Sequence, residues 1–119
     1  MIFNLFFVGV GGAIGAISRF VINEIFEKYL FLTSPYATLF VNVIGCFLIG
    51  VILGMSLPTK DTSYYFFVIG FLGSFTTMSA LSYQTVMIAN SNLISALSYI
   101  IITVVLTILA TYIGTLIAK

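Results

Sequence analysis

Apolar residues gather along this chain in four blocks, residues 3–22, 36–57, 64–89 and 93–118, with short polar interruptions between them. Each block has about the 20 residues that a helix needs to cross the hydrocarbon core of a bilayer, so the pattern predicts four transmembrane helices. The third block departs from the others. From residue 62 to residue 90 it is too long for one clean span, and Gly70, Gly73, Ser74, Thr76 and Thr77 lie at its middle. Backbone groups in lipid must be hydrogen-bonded within the protein, so a Gly-Ser-Thr cluster at that depth is tolerable only inside protein or beside water. A helix broken in mid-membrane is therefore expected. The two ends that such a break exposes offer free carbonyls and free amides, the groups from which ion and substrate sites are built.

Composition agrees with a membrane environment. Of 119 residues, 61% are hydrophobic, and the charged side chains are four Lys or Arg and three Asp or Glu. Mean hydropathy is +1.26, far above that of a soluble domain. The four spans leave no room for a soluble domain. Without a basic leader or an A-x-A-type site, the first block reads as a retained span rather than a cleaved signal peptide. The connections are expected to be short: Glu24, Glu27 and Lys28 mark the first, residues 58–63 with Lys60 and Asp61 the second, and residues 90–92 the third.

Four spans put both termini on one side, with Lys60 and Lys119, while the other side has Lys28 and Arg19. Two basic residues against two give the positive-inside rule almost nothing to act on. Either the chain inserts both ways or a partner fixes its orientation. Insertion both ways would allow an antiparallel homodimer, and four small helices hardly enclose a pathway alone, so a dimer is expected. Gly11 with Gly15, and Gly50 with Gly54, form G-x-x-x-G pairs, and Gly12 with Ala16 adds a further small pair. Such spacings favour close helix approach and are common within one chain, so they do not identify a dimer face.

Missing residues exclude several chemistries. With no histidine and a single cysteine, Cys46 in an apolar run, there is no basis for a zinc, copper or haem site or for a Ser-His or Cys-His dyad. Cys46 reads as a small hydrophobe. Glu24, Glu27 and Asp61 all fall in or beside expected loops, so no paired carboxylates within a span can relay protons or hydrolyse a substrate. An enzyme is not expected. Small multidrug exporters share the short four-helix, dual-topology layout, but they use a carboxylate in the middle of the first helix. This first helix offers Asn4, Ser18 and Arg19 instead.

One arginine and many hydrogen-bond donors remain. Arg19 lies about one turn from the expected helix end and either snorkels to the interface or faces a vestibule, where it would raise the local anion concentration. Asn42 is either interhelical glue or a two-donor anion ligand. Tyr99, Thr103 and Thr107 recur every fourth residue, which puts three hydroxyls on one face of the fourth helix. Threonines that bond back to their own helix are the alternative for two of them.

Those residues also carry a resemblance. Gly11, Gly12, Gly15, Ala16, Arg19 and Phe20 match the G-G-x-x-G-A-x-x-R-[YF] signature of the Fluc/CrcB fluoride channels. Thr38, Leu39, Asn42, Gly45, Phe47 and Gly50 resemble that family's T-L-x-x-N-x-x-G-x-F-x-x-G. Gly70, Phe71, Gly73, Thr76, Thr77 and Ser79 resemble its G-F-x-G-x-x-T-T-F-S. Three motifs in order over a four-helix layout make the set specific.

The resemblance implies an all-α membrane protein of four helices with the third broken, a single unit over residues 1–119, assembled as an antiparallel dual-topology dimer in a bacterial plasma membrane. It implies a structural sodium ion at the dimer centre, held by the backbone carbonyls of Gly73 and Thr76, and passive fluoride export through two narrow pores. Asn42, Ser79, Tyr99, Thr103 and Thr107 match positions of that pore or its hydroxyl track, and Arg19 matches the vestibule arginine. The implied partners are fluoride, lipid and a second four-helix subunit, with no nucleic acid. The sequence departs from the pattern at the two pore phenylalanines, which are Met78 and Leu81 here, and at the threonine between them, which is Ala80. Ring edges carry the positive part of the aromatic quadrupole, and neither replacement supplies it. Two accounts follow: a heterodimer whose related partner brings the phenylalanines, toward which the paired, degenerate subunits of some members lean, or a homodimer with aliphatic and thioether pore linings. A non-conducting partner subunit and a multidrug-type exporter are the other readings to be separated.

Overall fold

The computed structural model describes residues 1–55 and 61–118. Lys60 and Lys119, on which the expected charge balance depends, lie outside the described residues, as do Pro58 and the expected end of the second span at residue 57. Among the described residues every regular element is helical: α1 (Ile2–Lys28), α2 (Ser34–Met55), a π-helical segment (Tyr64–Leu72), a single turn α3 (Gly73–Phe75), α4 (Met78–Ser91) and α5 (Leu93–Ala118). Four stretches, with Tyr64–Ser91 counted as one, are long and apolar enough to cross a membrane.

Helix α1 forms although it contains Gly9, Gly11, Gly12 and Gly15, each of which would weaken a helix in water by about 1 kcal/mol. In lipid the alternative is unpaired amides, which costs more. It also runs past its expected end. Glu24, Glu27 and Lys28 lie in its last two turns rather than in the first connection, because local pairs hold them there. Glu24 pairs with Lys28 at 2.8 Å, and Glu27 accepts the Ser34 hydroxyl at 2.6 Å, which ties α1 to the start of α2. Pro35 sits in the first turn of α2, where a missing N–H costs nothing. The third connection shrinks to Asn92, whose Oδ1 accepts from the amides of Ile94 (3.0 Å) and Ser95 (3.2 Å) and starts α5.

Helices α2 and α5 pack along their length, and α1 packs along the π-helical segment. Glycine permits both approaches. A Cβ at Gly11 would collide with the backbone of Phe66, and one at Gly50 with the carbonyl of Thr111. The G-x-x-x-G pairs thus seat neighbouring helices of the same chain. The core is small and contains polar residues: Ala37, Val41, Leu72, Phe75, Leu81, Ala96 and Ala110 are buried together with Thr38, Asn42 and Thr103. Most large apolar side chains point outward, as suits a protein whose solvent is hydrocarbon.

Candidate functional site

The third span breaks where the Gly-Ser-Thr cluster predicts. Thr76 (φ −80°, ψ 152°) and Thr77 (φ −147°, ψ 120°) are extended between α3 and α4. The π-helical segment leading into the break has no forewarning in the sequence, and π-turns recur at functional sites.

Two extended residues release backbone groups on both sides, and side chains from other helices take up some of them. Asn42 on α2 clamps Thr77: its Nδ2 donates to the Thr77 carbonyl at 3.1 Å and its Oδ1 accepts the Thr77 amide at 2.8 Å. Arg19 on α1 donates from its Nε to the Ser74 carbonyl at 3.1 Å. Ser74 in turn donates to the Gly12 carbonyl at 2.6 Å and fixes α1 against the break. Thr76 returns its hydroxyl to the Leu72 carbonyl at 2.9 Å. Thr77 caps α4, its hydroxyl oxygen accepting from the Ala80 amide at 3.2 Å.

Other groups are left over. The carbonyls of Gly73 and Thr76 accept no hydrogen bond, and the amides of Met78 and Ser79 find no acceptor, among the described residues. Carbonyls free on one side and amides free on the other are the negative and positive ends of two half-helices.

Two clefts flank the clamp. The first, about 360 Å³, is lined by Arg19, Asn23, Thr38, Gln84 and Thr77 among others. Polar and apolar residues share its lining, and Arg19 is the one charged residue there among the described residues. The second, about 390 Å³, brings together Asn42, Thr76, Met78, Leu81, Thr103 and Thr107, with Cys46 at its edge. Thr103 is only 3% exposed, and its hydroxyl has no partner among the described residues. By contrast the Thr107 hydroxyl donates to the Thr103 carbonyl at 2.7 Å. Asn42 has two N–H donors and one acceptor, Thr77, among the described residues, so a second N–H is uncommitted.

Of the other expected site residues, Tyr99, Ser79 and Gly73 lie outside these two linings. Tyr99 donates to Gln84 Oε1 at 2.8 Å, which links α5 to the first cleft. Ser79 is exposed on α4 with its Oγ 3.2 Å from the Thr77 hydroxyl. Gly73 is exposed beside the break. Met78 is 74% exposed, whereas Leu81 is 8% exposed and packed within its own chain.

Sequence reasoning passed over Gln84, for which no pattern gave a signal, and gave Thr38 no role beyond its place in the second motif. It also stopped the hydroxyl ladder too early: Thr111 and Thr115 continue the fourfold spacing, and both line a third cleft beside Cys46. Their hydroxyls are committed, however, Thr111 to the Cys46 and Thr107 carbonyls and Thr115 to that of Tyr112.

Comparison with known proteins places this geometry. The model of the family described as "CrcB-like protein, Camphor Resistance (CrcB)" matches residues 6–115. The chain is 35% identical over 120 residues to the fluoride-specific ion channel FluC of Flavobacterium psychrophilum, covering 98% of this chain and 97% of that one. It is 33% identical over 118 residues to the protein of that name from Azobacteroides pseudotrichonymphae, covering 96% and 94%. It is 35% identical over 113 residues to fluoride-specific ion channel FluC 1 of Staphylococcus haemolyticus, covering 93% and 96%.

Proposed function

The chain belongs to the CrcB-like family, and from that premise we propose that it is a subunit of a fluoride-selective channel, a multi-pass protein of the plasma membrane that exports fluoride passively and so confers resistance. It is a transport protein, not an enzyme. The observation that carries the proposal is the unpartnered Thr103 hydroxyl, buried in the cleft that also holds the uncommitted N–H of Asn42. Leaving a buried polar group unmet costs about 1–3 kcal/mol. A cleft that keeps such a donor beside another suits a guest that accepts hydrogen bonds.

Fluoride is such a guest. A small anion that sheds its water needs donors in close succession, and Asn42, Thr103 and the amides of Met78 and Ser79 at the head of α4 supply them. Arg19 keeps the potential of the first cleft positive without entering a covalent or protonic step, so anions collect there before meeting the donors. Thr107 and Tyr99 extend the hydroxyl track once their present bonds exchange for the ion. Ser79, beside the Thr77 cap, adds a hydroxyl on the exposed face of α4.

Dimer assembly belongs to the same proposal. The free carbonyls of Gly73 and Thr76 are hard oxygen donors that fit a sodium ion. Two oxygens from one chain are too few for such a cation, and a second, oppositely oriented subunit would bring the carbonyls to four. When bound, the ion would supply fixed positive charge that holds the two breaks together. Met78, exposed, is available to a pathway shared with a partner, while Leu81 is turned into its own chain. Neither brings a ring edge, which favours a related partner that does.

Fluoride-loaded liposomes test the reading. Reconstituted alone or with a homologous four-span subunit, the chain is expected to release fluoride and retain chloride. No fluoride release in any pairing, or equal release of chloride, overturns it. A chain that conducts only with the homologous subunit establishes the heterodimer, and proton-coupled uptake of aromatic cations would establish the exporter.

A further inference from the structure

The first cleft runs toward the connection between α1 and α2: its lining passes from Ala16, Val41 and Thr77 near the break to Asn23, Ser34 and Gln84 nearest that connection. Arg19, Asn23 and Glu27 are four residues apart on α1 and so share one face of it. Glu27 lies just beyond the lining, about 12 Å past Arg19 along the helix axis. Its carboxylate spans the mouth of the cleft. One oxygen, Oε1, accepts the Ser34 hydroxyl at 2.6 Å and an Asn23 side-chain N–H at 3.4 Å, and both of those residues line the cleft. Ser34 also begins α2, whose first turn is the positive end of that helix. Lys28 is taken by Glu24 at 2.8 Å, so no ion pair neutralises Glu27 among the described residues.

An anion drawn toward Arg19 from this side meets two hydrogen-bond donors at the start of a helix, the groups that receive negative charge. A carboxylate of the chain itself already holds them. We propose that Glu27 is a tethered anion at the entrance of the first cleft, where it occupies the donors of Asn23 and Ser34, opposes the field of Arg19 and so slows the entry of fluoride. Glutamine at this position isolates the charge from the contact. Its carbonyl oxygen still accepts from Ser34 and Asn23, so the tie between α1 and α2 is kept while the negative charge is gone. What is lost is then a field acting over about 12 Å, which salt screens, rather than a local bond, which it does not. The effect on flux rests on the channel reading above; the effect on the potential inside the cleft does not.

The test has two arms, both on the whole chain in liposomes. One compares fluoride efflux of wild type and Glu27→Gln at ionic strengths of about 0.01 M and 0.15 M, where the Debye length is about 30 Å and 8 Å. Glu27→Gln is expected to raise efflux about twofold at the lower ionic strength and by less at the higher. The other arm reads the potential without any flux. Cys46 is the only cysteine, and Ala80 lines the first cleft, so Ala80→Cys in a Cys46→Ser background gives that cleft the one thiol of the chain. Its reaction rates with an anionic and a cationic thiosulfonate of similar size are compared with and without Glu27→Gln. Loss of the Glu27 charge shifts the two rates in opposite directions, so their ratio is expected to rise about fourfold in favour of the anionic reagent at the lower ionic strength. Efflux no faster than wild type, a rise equal at both ionic strengths, or an unchanged rate ratio overturns the proposal. Wild-type liposomes that release no fluoride overturn the channel reading instead, and the thiol arm then still decides whether Glu27 sets the potential of the entrance.

Discussion

The two sides of the break in the third span are treated differently by the rest of the chain. Upstream, the Leu72 carbonyl takes both the amide and the hydroxyl of Thr76, and the Ser74 carbonyl takes Arg19, while the Gly73 and Thr76 carbonyls stay open among the described residues. Downstream, Asn42 takes both polar groups of the Thr77 backbone and the Thr77 hydroxyl takes the Ala80 amide, while the amides of Met78 and Ser79 stay open among the described residues. What remains is negative on one side and positive on the other, within a few residues. One interruption thus leaves acceptors at one lip and donors at the other. Which groups remain is decided by side chains on other helices, so the comparison can be broken by changing those.

The largest effect is expected at the clamp. Asn42→Asp removes the donor to the Thr77 carbonyl and puts a carboxylate beside both the open amides and the anion path. Loss of a charge-relevant buried bond of about 3 kcal/mol corresponds to fluoride efflux lower by about two orders of magnitude. Efflux at the wild-type rate would remove Asn42 from the pathway and the downstream lip from the account.

Next is the seat of the break. A Cβ at Gly45 would collide with the Thr76 methyl, so Gly45→Ala should lower stability by about 1–3 kcal/mol, read as a lower midpoint of thermal unfolding in detergent. An unchanged midpoint would mean that the break shifts freely and that Asn42 alone does not fix it.

Much of this arrangement was legible in the sequence, and the part that was not is instructive. Four spans follow from apolar length alone, and residues 70–77 mark the break because glycine, serine and threonine at mid-membrane depth have no other cheap explanation. Arg19 and Asn42 stood out as polar residues within spans, but their partners Ser74 and Thr77 are 55 and 35 residues away. Helix rotation decides such pairings, and no local pattern encodes it. The run of α1 past Glu24 was hidden because charges near a helix end resemble a loop until their local pairs are known. The π-helical segment was invisible as well: it lies against α1, with Gly70 close to Gly11 and Gly12, and no local pattern reports such a tertiary contact.

A smaller effect separates the hydroxyls. Arg19→Gln keeps a donor for the Ser74 carbonyl but removes the charge of the first cleft. Efflux should fall a few-fold at low ionic strength and by less at about 0.15 M salt, where the Debye length is near 8 Å. An equal fall at both salt levels would show that Arg19 acts through the break rather than through the field. Smaller still, Thr107→Val removes a hydroxyl that already bonds the Thr103 carbonyl. Its expected cost in stability is about 0.5–1.5 kcal/mol, with efflux lowered less than by any change above.

The central claim, that the second cleft offers its uncommitted donors to an anion, is tested most directly by Thr103→Val, a near-isosteric change at the one buried hydroxyl without a partner among the described residues. Fluoride efflux and thermal unfolding would be measured on the same preparation. The account predicts efflux lower by about tenfold while stability is unchanged or slightly higher, since a buried polar group with no partner is removed. Unchanged efflux, or a loss of efflux matched by a loss of stability, would contradict it.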